Sequence, residues 1–447
     1  MKAASPNVTG LVWAILLAAS CAALYTFSTN AELACIVVSL LGVAFLSSRK
    51  MPVRAIDWNL LVIAGLGVLS LVVSPYPANG IASTRAVVLS FVVFLAVRLT
   101  IRGTLPIVCS ASLLGIVAAA LALKGLGQFV AEAGRLSEAG LSNLLAFRSR
   151  LIAPPTPWIP GEWFTLLLLG LPFACALPAY LWRKGRTWLA VAALLPPLTI
   201  AAVATLSLSR AVFWSTVLFF FANAVLMVAS KVVSPGKGVA LLAGTLGGLA
   251  LVLACESVIY PGLLKTYAGK HASQTRSTQG RVGIWNRSVE LVRAHPLTGV
   301  GASNAALMLL SSADDEETTG FASRTFSLPV QIVVEKGIIG LLLYGAFLVL
   351  LAREFLKTMR YSPPITGNFR APASDKRSLG DTKDTTRANA DDAAAYKGMV
   401  CCFAAGIIAV LFRELTYSSL MEHSLTLVLV AALAALICRP ELAEGRA

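Results

Sequence analysis

The stretch Val330–Leu351 reads VQIVVEKGIIGLLLYGAFLVLL and decides the class of fold. Its only charged residues are Glu335 and Lys336, and its length fits a helix crossing a bilayer, which takes about 20 mostly apolar residues. Similar runs recur on both sides of it, and a continuous apolar run satisfies its backbone in lipid only as a helix. The predicted fold is therefore all-α and polytopic, with about twelve transmembrane helices. The other predicted spans are Gly10–Phe27, Ala31–Leu46, Trp58–Val73, Ala86–Leu99, Leu105–Leu123, Trp163–Trp182, Trp188–Leu206, Val212–Ala229, Val239–Cys255, Met399–Phe412 and Leu420–Cys438.

The composition agrees with a chain that lies mostly in lipid. Of its 447 residues, 57% are hydrophobic and 13% are charged, and the mean hydropathy is +0.77. A soluble domain carries about 25% charged residues. We therefore expect one membrane-embedded domain over residues 1–447, and no soluble domain large enough to act alone.

The positions of Lys and Arg predict the orientation, because these residues concentrate in cytoplasmic loops. Arg49–Arg54, Arg183–Arg186 and Arg353–Arg360 lie in alternate turns, whereas a turn between them, Tyr76–Ser83, is nearly free of charge. Both termini are then cytoplasmic. The net charge of +15 follows largely from this topology and suits an anionic leaflet. A nucleic-acid partner would need a water-exposed basic face, so none is expected.

Three long loops interrupt the predicted spans. Residues 124–162 and 256–328 are expected on the outer side, and residues 353–397, rich in Ser, Thr, Asp and Lys, are expected to form a flexible cytoplasmic loop. Within the second loop the pattern predicts an amphipathic helix that opens near Arg281 and stops at Pro296. This helix could lie on the outer leaflet or cap the helix bundle.

Three short motifs carry a resemblance to a known family. Arg281 and Trp285 followed by His295–Gly301, which reads HPLTGVG, resemble the signature of the O-antigen ligase and polymerase superfamily. The segment Leu206–Arg210 is similar to the Ser-Arg motif of that family, and Val334–Gly340 is similar to its Glu-x-Gly motif. The motifs occur in the order and on the predicted side that the resemblance requires.

The resemblance implies a bacterial inner-membrane glycosyltransferase with a GT-C-like fold and its active site facing the periplasm. Such enzymes take a glycan from undecaprenyl diphosphate. Polymerases pass it to another lipid-linked repeat unit, ligases pass it to the lipid A core, and some relatives pass it to a protein hydroxyl. The resemblance also implies a metal-independent reaction, and we expect no cofactor.

The chemistry of the leaving group points to arginine side chains. The diphosphate gains charge as the glycosidic bond breaks, and a guanidinium holds two phosphate oxygens without losing its own charge. Arg210 and Arg281 are the first candidates, although a span-end Arg can also snorkel to the headgroups and an Arg on an amphipathic helix can be a solvated charge. The adjacent Arg413 and Glu414 could bind substrate or neutralise each other. Substrate contacts are also expected from two residues of the loop helix, Trp285 and Arg287, although Trp285 could equally be an interfacial anchor.

One position departs from the family pattern. The His that usually precedes the Glu of the Glu-x-Gly motif is absent, and Phe326 stands near its place. Arg324 could replace that His electrostatically, His423 or Glu335 could supply the base, or proton removal could need little help. The segment Arg413–Ser419 resembles the outer turn of exopolysaccharide polymerases and tilts the prediction towards a polymerase. The alternative from another class is a transporter of lipid-linked saccharides, but the candidate cations lie at the predicted outer face, away from the midplane.

Overall fold

The computed structural model describes residues 8–23, 29–46, 53–101, 104–138, 160–206, 209–259, 271–311, 327–360, 378–415 and 424–438. In this part of the chain every element is a helix and no strand occurs. The helices are α1 Val8–Ala23, α2 Thr29–Leu46, α3 Ala55–Val72, α4 Pro77–Thr100, α5 Thr104–Glu138, α6 Pro160–Arg183, α7 Thr187–Ala192, α8 Leu195–Leu206, α9 Arg210–Ala229, α10 Pro235–Ile259, α11 His271–Ala294, α12 Ala305–Ser311, α13 Leu328–Arg360, α14 Ser378–Glu414 and α15 Ser424–Ile437.

The membrane helices agree with the apolar runs of the sequence, and an all-α polytopic membrane protein is confirmed. Among the described residues, nine segments are long and apolar enough to cross a membrane, and two shorter apolar helices lie in α1 and α2. Within the described residues, eleven of the twelve predicted spans each lie in a single helix, the last in α15. The seventh span is made of α7 and α8, which are separated at Ala193 and Leu194. Pro196 and Pro197 follow at once, and they lack the N–H groups that would continue the first helix.

Two predicted boundaries differ from the structure. The loop helix α11 begins at His271, so Arg281 lies in its middle and does not open it. Gly280 lies inside the helix, because a single glycine costs a helix only about 1 kcal/mol and need not end it. Much of the predicted flexible loop 353–397 is helical, because α13 runs to Arg360 and α14 starts at Ser378. Long charged side chains are good helix formers, so both helices continue past their apolar parts.

Close packing of small residues holds the centre of the bundle. A Cβ added to Gly115 of α5 would lie 2.6 Å from the backbone nitrogen of Ala174 in α6, and one added to Gly406 of α14 would lie 2.5 Å from the ring of Pro172. Small residues let helix backbones approach closely in lipid, where burial of apolar surface does not drive association. α6 is thus packed between α5 and α14.

Charged side chains link four helices at one end of the bundle. Arg98 of α4 pairs with Asp57 of α3, which also accepts a hydrogen bond from the backbone N–H of Arg54 at 2.7 Å. The guanidinium of Arg54 donates to Glu354 of α13 at 2.7 Å and to the Cys438 carbonyl after α15 at 3.0 Å. Asp57, Arg98 and Glu354 are buried, so the removal of one partner would leave an uncompensated charge. This network fixes α13 to the bundle far from the residues discussed next.

Candidate active site

The candidate site lies at the opposite end of the bundle, which we call the loop end because the chain between α11 and α12 packs there. Its helix α13 is interrupted at Gly337, whose φ of 65° and ψ of −168° are not helical. Glycine enters this region without a steric cost. The N–H of Ile338, which follows the interruption, donates to the Pro296 carbonyl at 2.9 Å. A broken membrane helix is tolerated where another segment satisfies its backbone, as the loop does here.

The two loop-end motifs of the sequence are in direct contact. We call residues 296–304 the docking turn and residues 334–338 the α13 break. The N–H of Val300 donates to the Val334 carbonyl at 2.8 Å, and the N–H of Gly301 donates to the Glu335 carbonyl at 3.0 Å. Gly299 has a φ of 68°, and a Cβ there would lie 2.5 Å from the Val334 carbonyl oxygen. The glycines of the HPLTGVG and Glu-x-Gly motifs therefore allow two backbones to touch.

The Glu335 side chain is enclosed at this junction, with 3% of its surface exposed. Its carboxylate accepts a hydrogen bond from Gln331 Nε2 at 3.2 Å and a second from the backbone N–H of Ser303 in the docking turn. The neighbouring Lys336 is buried as well and offsets its charge. Glu335 thus ties the docking turn to α13 through its side chain as well as its backbone.

Helix α11 stands on the docking turn with one face buried. Ile284 and Ser288 of this face are buried, Arg281 one turn earlier is half-buried, and Trp285 is 40% exposed on the other side. Burial lowers the pKa of Arg281 from its ordinary value. One guanidinium nitrogen of Arg287 is buried and has no hydrogen-bond partner among the described residues. The helix therefore caps the bundle with its Arg281 face and leaves Trp285 accessible.

A second charged group lies at the loop end of α14. Arg413 is 2% exposed and Glu414 is fully buried, and their side chains pair at 2.7 Å. Thr165 of α6 donates to the Glu414 carboxylate at 3.4 Å. The pair is therefore a neutralised buried group that joins α14 to α6, and a ligand could reach Arg413 only after some rearrangement.

An apolar groove runs between α3, α4, α13, α14 and α15. Its cavity has a volume of about 110 Å³. Leu328 and Ile332 of α13 line it just before Glu335, and Leu411 lines it two residues before Arg413. Tyr344 and Phe347 lie deeper along α13. The groove therefore extends into the apolar part of the bundle from the level of the charged side chains.

The structure places some predicted site residues and not others. Arg210 opens α9, as expected for a residue at a span end. Arg324 and His423 lie outside the described residues, as does Phe326. Among the described candidates, the structure brings Glu335 to the docking turn that follows the Arg281 helix, and it brings Arg413 to Glu414.

Residues 165–345 match the family model described as O-Antigen ligase. This segment is a domain of the O-antigen ligase superfamily. The matched region of the O-antigen ligase domain contains Arg210, Arg281 and Glu335, whereas Arg413, Glu414 and His423 lie beyond its end. Among curated proteins, no match to the chain was found.

A metal site would need several His, Cys, Asp or Glu side chains close together. Among the described residues, no group of three such side chains is close enough together to hold a metal ion. Metal independence stays a prediction, because the side chains of His271, His423 and several acidic residues lie outside the described part of the chain.

Sequence reasoning missed the polar residues that hold the docking turn. Asn304 is fully buried, and Ser303 has a φ of 58°, which is uncommon for a residue other than glycine. The signal in the sequence was the polar pair Ser303–Asn304, one residue after the Gly299–Gly301 turn, because Asn favours such turns. Its partner Ser74 lies about 230 residues away in the chain, and no local pattern relates the two.

Proposed function

We propose that this protein transfers a glycan from undecaprenyl diphosphate to a saccharide hydroxyl at the outer face of a bacterial inner membrane. Glycan transfer of the O-antigen ligase and polymerase type is the activity that the family match supports. The donor, the acceptor, the sidedness and the independence from metal are our proposals. The observation that supports them is the junction of the docking turn with the α13 break, because the turn follows the Arg281 helix and α13 lines an apolar groove just before the break.

This junction suits a lipid-linked donor because polar and apolar parts lie in the order that such a molecule needs. The groove is lined almost wholly by apolar side chains and would take a stretch of isoprenoid chain. The diphosphate would then lie at the loop end, near the level of Arg281 and the start of α9 at Arg210. Fixed guanidinium groups there would stabilise the charge that grows on the leaving diphosphate.

In the proposed reaction the acceptor hydroxyl oxygen attacks the anomeric carbon of the donor sugar. The bond from that carbon to the diphosphate oxygen breaks, and its electron pair leaves with the diphosphate. The hydroxyl proton passes to Glu335, to His423 or to solvent, and Arg324 could assist electrostatically. Trp285 is accessible on the outer face of α11 and could stack on a sugar ring. A role in substrate binding for Arg287, Arg413 and Glu414 belongs to the same proposal.

The resemblance of Arg413–Ser419 to polymerases favours a lipid-linked repeat unit as acceptor. A ligase would use the lipid A core instead, and a protein glycosyltransferase would use a protein hydroxyl. Purified protein supplied with the lipid-linked glycan and each acceptor in turn would separate these outcomes. Products of several repeat units formed from the donor alone indicate a polymerase, and single addition to the lipid A core indicates a ligase.

Arg281 provides the sharpest test. We expect Arg281→Ala to raise the activation free energy of transfer by about 3–4 kcal/mol, as the loss of one preorganised contact does. The rate of transfer would then fall by about a few hundredfold. Arg281→Lys should remain severely impaired because it loses the bidentate fork. The matched control is Arg293→Ala, which removes an exposed Arg from the end of the same helix. Transfer is measured in detergent, where a transporter without transferase activity would form no product.

Normal transfer by Arg281→Ala, with the Arg293 control equally active, would reject the assignment of the loop helix to the diphosphate. If the wild-type protein formed no product with the lipid-linked repeat unit, the lipid A core or a protein acceptor, the transporter alternative would be favoured instead.

A further inference from the structure

Three backbone hydrogen bonds connect the docking turn to α13, but they do not connect it to the rest of the bundle. That second link is made by the side chain of Asn304, which is fully buried at the start of α12. Its amide nitrogen donates to the Ser74 hydroxyl in the turn between α3 and α4 and to the Val300 carbonyl at 3.1 Å. Its carbonyl oxygen accepts a hydrogen bond from Asn79 Nδ2 at 3.3 Å.

The surroundings of Asn304 leave little room for a different arrangement. A Cβ added to Gly301 would lie 2.8 Å from the Ser74 hydroxyl and 3.0 Å from the Asn304 amide. A Cβ added to Gly80 of α4 would lie 3.0 Å from the Ala302 carbonyl oxygen. The docking turn is thus packed against the α3–α4 turn on one side and against the α13 break on the other.

Asn304 also follows directly after a strained residue. Ser303 adopts a φ of 58°, and its N–H reaches the Glu335 carboxylate from that conformation. Residues other than glycine keep a left-handed backbone only where surrounding contacts determine it. The hydrogen bonds of Asn304 on one side and of Val300 and Gly301 on the other hold Ser303 in this conformation.

We infer that Asn304 is a positioning residue, which pins the docking turn to the α3–α4 turn and thereby holds the Arg281 helix over the bundle. It acts through Ser303, Glu335 and the end of the loop helix, from which the docking turn continues, and it is not assigned a contact with substrate. The inference rests on the proposed function only in so far as Arg281 serves the transfer reaction. Its structural part, the fixed placement of α11, can be measured without any substrate.

The experiment measures the distance between spin labels on α3 and α11 by pulsed electron resonance. Cysteines replace Val72 and Val289, both exposed, in a protein from which the eight native cysteines have been removed. We expect Asn304→Ala and Ser74→Ala each to broaden the distance distribution. Ser70→Ala is the matched control on α3, because the Ser70 hydroxyl bonds to the Gly67 carbonyl at 2.7 Å within its own helix. Ser74→Ala removes the same link, together with the hydrogen bond that the Ser74 hydroxyl accepts from the backbone N–H of Tyr76 at 3.1 Å, and serves if Asn304→Ala does not fold.

Transfer measured on the same unlabelled variants completes the test. We expect Asn304→Ala to lower transfer about a hundredfold, the loss that a small misplacement of a reactive group produces. The Ser74→Ala and Asn304→Ala double variant should lose less than the sum of the two single losses, because both substitutions remove one shared interaction. An unchanged distance distribution in Asn304→Ala, or losses that add fully in the double variant, would overturn the inference. A broadened distribution together with normal transfer by Arg281→Ala would support the positioning role and reject the proposed site.

Discussion

Gly337→Ala is the substitution that tests the loop-end junction most directly. Gly337 has a φ of 65° and a ψ of −168°, a conformation essentially restricted to glycine, where a Cβ costs about 1–3 kcal/mol. The new methyl group would also overlap the Leu297 carbonyl and lie 2.6 Å from the Thr298 nitrogen. Both of those atoms belong to the backbone, so no side-chain rotation relieves the overlap, and the docking turn must move away from α13.

The size of the effect follows from the bonds that this movement breaks. The bonds from Val300, Gly301 and Ile338 hold the two segments together, and each contributes about 0.5–1.5 kcal/mol. With the backbone strain added, the docked arrangement loses about 2.5–7.5 kcal/mol. Since 1.4 kcal/mol changes an equilibrium constant tenfold, we expect the docked population and the rate of glycan transfer to fall by about a hundredfold or more.

The assay is glycan transfer in membranes matched for protein amount, together with limited proteolysis of the 256–328 loop. The control is Gly345→Ala two turns further along α13, where an added Cβ meets no atom within 4 Å. We expect Gly345→Ala to retain full transfer and the wild-type cleavage pattern, and Gly337→Ala to lose transfer and gain cleavage sites. If the two variants behaved alike, the contact between the docking turn and the α13 break would not exist as described.

Asp57→Ala should lower the unfolding temperature of the detergent-solubilised protein, because the loss of one partner from a buried pair costs about 3–5 kcal/mol. Arg98→Ala added to the same chain should restore part of the lost stability, and strictly additive losses would contradict the pairing. A cysteine placed at Asp315 in a cysteine-free chain should react with a membrane-impermeant reagent from the periplasmic side, whereas labelling from the cytoplasmic side alone would exclude an outward-facing site. Addition of EDTA or Mg²⁺ to the purified protein should leave transfer unchanged, and a loss with EDTA that Mg²⁺ restores would show a metal requirement.

The sequence alone was sufficient for the membrane class, the positions of the spans and the family. Apolar runs such as Val330–Leu351 satisfy their backbone locally, so a helix through lipid can be recognised without knowledge of its neighbours. The HPLTGVG and Glu-x-Gly motifs were likewise visible as short patterns, and the O-antigen ligase match covers both. Helix ends were less predictable, because charged residues such as those after Leu351 continue a helix as readily as they begin a loop.

Only the tertiary structure decided which of these motifs contact each other. It paired the docking turn with the α13 break, enclosed Glu335 between Gln331 and Ser303, and joined Asn304 to Ser74. It also joined Arg98 of α4 to Asp57 of α3. Such contacts depend on the approach of residues far apart in the chain, which helix periodicity and local composition do not encode. The sequence determined which segments enter the membrane because that preference belongs to each segment separately, whereas the site is a property of the surfaces that packing brings together.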